Sequence, residues 1–92
     1  MRYFLICYDI EDDRRLNKIA RCLLGWGRRV QYSVFEVACV TESDLKNMCE
    51  QLEKLRENGD SIRVYRFSED TRRKSGELNG KPMRHCPAVV VL

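Results

Sequence analysis

The sequence predicts an α+β fold in which strands and helices follow one another as β-α-β-β-α-β, with one further strand at the C-terminus. Three observations carry this. Residues 3–8 are an unbroken apolar run, two later stretches repeat apolar residues at helical spacing, and the segments between them are rich in β-branched and aromatic residues.

The opening strand, Met1 to Ile10, is aromatic, branched aliphatic or cysteine from Tyr3 to Tyr8, so both of its faces read as buried and it belongs inside a sheet. It ends at Asp9. The first helix is expected from about Asp12 to Trp26: Leu16, Ile19, Ala20 and Leu23 form one stripe, and Arg14, Lys18 and Arg21 fall opposite. Asp12 or Asp13 can cap its start, and Gly25 and Gly27 stop it. Residues 28–40 are strand material at about twice the usual strand length, which predicts two short strands bending near Tyr32-Ser33 or one strand broken by a bulge. Thr41 to Asp44 supplies capping side chains for a second helix reaching about Glu57, with Leu45, Met48, Cys49, Leu52 and Leu55 on one face. Asn58-Gly59-Asp60 ends it. Residues 61–67 alternate as a strand exposed on one side.

From Ser68 to Pro87 the chain is polar and broken by glycine and proline, which reads as a loop or arm; Ala88 to Leu92 is an apolar run that reads as a terminal strand. The expectation is one ferredoxin-like domain over residues 1–92, with its core in 1–67, an arm in 68–87 and a strand in 88–92. Both helices of that fold lie on one face of the sheet. Since the first strand is apolar on both faces, a second copy packed sheet to sheet is the simplest cover for the other, making a homodimer.

Composition narrows the function classes. Charged residues are 34% and hydrophobic ones 43% of 92, and no apolar stretch approaches the roughly 20 residues that span a bilayer. Neither a membrane partner nor a secretory leader is expected, because Met1 runs straight into a strand. Five cysteines match no zinc spacing and mostly fall on apolar stripes, as small core residues do in a reducing cytoplasm. The net charge is only +3, but the arginines cluster. Arg14, Arg15, Lys18, Arg21, Arg28 and Arg29 lie early in the chain and Arg63, Arg66, Arg72, Arg73, Lys74, Lys81 and Arg84 late, and a flat, multi-donor guanidinium suits phosphate. A solvated surface explains the same residues.

Asp9 is the one carboxylate placed for chemistry, at the end of a buried strand. Magnesium is commonly held by one or two carboxylates with water and phosphate oxygens. Two copies of Asp9 facing each other across a dimer cleft would meet that need, and a turn or helix-entry role for Asp9 meets the sequence equally well. His85, the only histidine, stands far from Asp9 in the chain, and no nucleophile elbow, P-loop or dinucleotide glycine motif occurs.

Tyr8-Asp9-Ile10 with Asp12-Asp13-Arg14-Arg15, then Gly27 to Glu36, then Arg63-Val64-Tyr65-Arg66, together resemble the small CRISPR-associated adaptation proteins of the "Cas two" family. The resemblance implies a ferredoxin-like homodimer with sheets face to face and C-terminal strands that pair across it. It implies that Asp9 is the family's catalytic and metal-associated acid, with Mg²⁺ or Mn²⁺ as cofactor. It implies basic phosphate contacts at Arg14, Arg15, Arg28 and Arg29. Two activities go with it: a bridge that holds two copies of the CRISPR integrase ("Cas one") along a captured DNA fragment, or a metal-dependent endonuclease on RNA or double-stranded DNA.

Overall fold

The computed structural model describes residues 1–80, so the expected terminal strand at 88–92 and its pairing lie outside the described residues. Four strands and three helices follow in the order β1 (Arg2–Asp9), α1 (Asp13–Leu24), β2 (Gly27–Gln31), β3 (Val34–Cys39), α2 (Glu42–Leu55), β4 (Ser61–Phe67) and α3 (Glu69–Lys74). The strands form one antiparallel sheet in the order β2-β3-β1-β4, the ferredoxin-like arrangement, with β1 inside it as its apolar run requires.

Alternation along β1 sends Phe4, Ile6 and Tyr8 toward the helices, where they meet Leu16, Ile19 and Leu23 of α1, Met48 and Leu52 of α2, and Phe35 and Val37 of β3. This is the core. Trp26 closes its lower end, with its indole Nε1 donating to Gln51 Oε1 at 3.0 Å. The opposite face of β1 carries Tyr3, Leu5, Cys7 and Asp9. Here only Tyr3 is buried, between the Phe67 ring at 5.9 Å and the Arg72 guanidinium at 5.2 Å.

Each helix starts where its capping residues stand. Asp12 accepts from Arg15 N at 3.0 Å to cap α1, and Thr41 and Asp44 exchange hydrogen bonds in a reciprocal box at the start of α2. The long strand segment does divide at Tyr32-Ser33, as expected. Its first residue, Gly27, packs so closely on β3 that a Cβ there would lie 2.1 Å from the Glu36 carbonyl oxygen.

Two elements differ from the sequence reading. Within the stretch expected as a loop stands α3, a helix of six residues capped by Ser68 and held by Glu69–Arg72 and Asp70–Lys74 pairs. Its signal was local charge pairing, which glycine and proline further on obscure. Second, β4 is exposed on both faces rather than one. Among the described residues it is an outer strand of the sheet, and Arg66 on the helix side covers the Phe4 ring at 5.4 Å while Val64 stays 40% exposed.

Candidate nucleic-acid interface

Asp9 closes β1 on the helix-free face, opposite Ser61 of β4, and its carboxylate is exposed. With Cys7, Ser61 and Arg63 it lines a shallow hollow of about 250 Å³. Antiparallel pairing brings these residues together: Cys7 faces Arg63 and Asp9 faces Ser61, all on one side of the sheet. Among the described residues Asp9 makes no side-chain hydrogen bond or ion pair.

Tyr8 points the other way and organises the neighbouring hairpin. Its hydroxyl donates to the Tyr32 carbonyl at 3.0 Å and accepts from Arg29 Nη2 at 3.3 Å. Arg29 also donates to that carbonyl from Nε at 3.0 Å and Nη2 at 2.6 Å, and its guanidinium lies over the Tyr32 ring at 5.0 Å. Among the described residues Arg29 pairs with no acid, and these hydrogen bonds hold its guanidinium in a fixed position.

The five basic residues singled out by sequence differ sharply in their surroundings. Arg15 is tied down: Nε and Nη2 donate to the two oxygens of Asp60 at 2.8 and 3.0 Å, and Nη1 pairs with Glu57 at 2.9 Å and Asp12 at 3.6 Å. Asp60 is buried and also accepts from Glu57 N at 3.0 Å; the Arg15 guanidinium, helped by that amide, holds its carboxyl down at about 2. Arg15 is correspondingly held in its charged form by Asp60. This cluster joins the start of α1 to the end of α2 and the start of β4. Arg28 lies on β2 opposite Glu36 of β3, with Nε 3.6 Å from Oε1, and burial pushes the Glu36 carboxyl up against the opposing pull of Arg28.

Arg14 and Lys18 stand apart from these. With Arg21 they form one exposed stripe on the outer face of α1, at positions i, i+4 and i+7, and none makes an ion pair among the described residues. Elsewhere arginine is mostly neutralised locally, as with Arg2 and Arg66 on Glu42 or Arg56 on Glu53. Sequence reasoning named Arg63 only as one of the late arginines and as part of the family resemblance, and gave Asp60, Ser61 and Tyr32 no site role. Register in the sheet was the missing information for Ser61 and Arg63, and the 67% exposure of Tyr32 distinguishes it from the other strand aromatics only in three dimensions.

A family profile described as CRISPR associated protein Cas2 matches residues 1–75. The chain is 37% identical over 93 residues to the CRISPR-associated endoribonuclease Cas2 3 of Synechocystis sp., covering all of both chains. It is 43% identical over 68 residues to the CRISPR-associated endoribonuclease Cas2 3 of Chloroflexus aurantiacus, covering 73% of this chain and 72% of the relative. Among solved structures, a chain of a partial Cas6-RT-Cas1–Cas2 complex superposes with a TM-score of 0.80 at 33% identity, covering 92% of this chain and 99% of that one. Streptococcus pyogenes Cas2 at pH 6.5 superposes at 0.72 with 29% identity over 83% and 98% of the two chains. The profile spans the whole βαββαβ unit and the full-length relatives match it end to end, so the chain belongs to the Cas2 family of CRISPR-associated proteins.

Proposed function

We propose that the chain acts in CRISPR adaptation as a homodimeric, cytoplasmic, nucleic-acid-binding subunit that bridges copies of the Cas1 integrase along captured DNA. The observation that carries this reading is that, among the described residues, the exposed stripe Arg14, Lys18 and Arg21 and the separate guanidinium of Arg29 make no ion pair with an acid. Cations without acidic partners bind phosphate without reading sequence, and binding of that kind weakens steeply with salt. The likeness to a chain of a Cas1–Cas2 complex supports the partner. Leu5 and Tyr65 on the helix-free face, the latter 48% exposed, support a second copy as the cover of that face. Among the described residues no helix is long and apolar enough to cross a membrane.

A second reading has its own observation. The open carboxylate of Asp9, with Ser61 and Arg63 at hand, suits a metal-dependent phosphodiesterase acting on RNA or double-stranded DNA, in keeping with the endoribonuclease names of the relatives. Its donor set fits a hard cation such as Mg²⁺ or Mn²⁺ only when two chains each bring an Asp9, since one carboxylate per chain is few ligands for such an ion. Bound there, the cation would supply Lewis-acid activation of water and phosphate. Arg63 then holds the phosphate against the cleft, and Ser61 offers it a hydroxyl.

Spacer acquisition and nuclease activity measured side by side on Asp9→Ala separate the two. The bridge reading expects the variant to bind DNA, assemble with Cas1 and support acquisition. Acquisition lost in a folded variant would reject it. The nuclease reading expects metal-dependent cutting that the substitution abolishes.

A further inference from the structure

We propose that Tyr32, braced by Arg29, is a stacking platform for an unpaired nucleobase, so that the chain engages single strands or splayed ends through a contact that blunt duplex cannot make. The inference rests on the nucleic-acid reading above and adds the form of the ligand. Tyr32 stands at the tip of the β2–β3 hairpin and is 67% exposed, far from any core role. Its ring lies against the Arg29 guanidinium at 5.0 Å. That guanidinium is fixed by donating to the Tyr32 carbonyl and to the Tyr8 hydroxyl rather than to an acid. A rigid aromatic ring with an unquenched cation against it offers a π-face to a base and a charge to the adjoining phosphate.

The position favours the same ligand. Arg29 also covers the Phe35 ring at 5.7 Å, on the side of the sheet that bears the helices, so a second copy on the helix-free face leaves the platform open. Tyr8 N donates to the Ser33 carbonyl at 3.1 Å, one residue before Asp9, which puts the platform at the Asp9 end of the sheet. Paired bases in a blunt duplex keep their faces stacked on one another and cannot use it.

The test is binding of the full chain to a single-stranded oligonucleotide carrying 2-aminopurine, in DNA and RNA forms, beside a blunt duplex of equal length. Stacking of the probe on Tyr32 quenches its fluorescence in the unaltered protein. Tyr32→Ala is expected to weaken single-strand binding roughly tenfold and remove the quench, with duplex affinity held within about twofold. Tyr32→Phe and Tyr32→Trp, which keep the π-face, retain binding and quench. An unquenched probe in the unaltered protein, or equal single-strand affinity for Tyr32→Ala and Tyr32→Phe, overturns the platform. So does an equal loss on duplex and single strand. Arg14→Glu run in parallel separates the two levels: if it weakens both nucleic acids while Tyr32→Ala weakens neither, the phosphate interface stands and the platform falls. If the unaltered protein binds neither form, both fall together.

Discussion

The outer face of α1 and the junction beneath its first turn both carry arginine, yet they differ in what surrounds the charge. Arg14 is exposed and makes no ion pair among the described residues, whereas Arg15, the next residue, is held by Asp60, Glu57 and Asp12. A helical step of about 100° is enough to turn one side chain outward and the other into the joint between three elements. The lesson is that a count of arginines overstates a phosphate surface. What matters is which of them have already met a carboxylate.

Breaking the joint gives the largest expected effect. Arg15→Ala leaves Asp60 buried without its bidentate partner, the costly way to disrupt such a pair. It should lower the thermal unfolding midpoint further than loss of any solvent-facing arginine, while Arg14→Ala leaves the midpoint unchanged. Circular dichroism melts of both variants check this, and equal midpoints would erase the distinction between the two arginines.

Nucleic-acid binding should invert that order. Replacing Arg14, Lys18 and Arg21 together by glutamine removes three phosphate contacts and should flatten the slope of log affinity against log salt by roughly 3 per protomer. A titration of the variant across salt concentration reads the slope directly. An unchanged slope would mean that the stripe is only a solvated helix face.

Acid sharpens the comparison further. Asp60, ordinarily at 3.8, is held near 2 in the fold by the Arg15 guanidinium and the Glu57 amide. A carboxyl lowered by folding contributes stability that is fully present above its unfolded value and is lost as pH falls through its folded one. Urea midpoints should therefore decline between about pH 3.8 and pH 2. Asp60→Asn should remove part of that decline, and a variant curve parallel to the original would show that the pair is not its source. The smallest effect belongs to the start of α2: Thr41→Ala removes the cap on Asp44 N and should cost about 1 kcal/mol in urea unfolding.

Much of the fold was legible because periodicity and capping speak locally. The apolar run of β1, the stripes of α1 and α2, and the Thr41–Asp44 box are each visible within a few residues. The division at Tyr32-Ser33 followed from length alone. What stayed hidden depends on partners distant in the chain. Asp60 lies 45 residues from Arg15, so nothing near either one announces the pair. Arg63 joins Asp9 only through the register of β4 on β1. The position of Asp9 at the end of β1 was legible, since the apolar run from Tyr3 to Tyr8 stops there.

The close fit of Gly27 against β3 reaches beyond stability. With the Glu36 carbonyl 2.1 Å from where a methyl group would sit and Val37 Cγ2 at 2.8 Å, every other amino acid is barred by backbone as well as side chain. In a library with every codon randomised, survivors should carry glycine at this position almost without exception, and the hairpin that displays Tyr32 should vary far more freely at its tip than at its root.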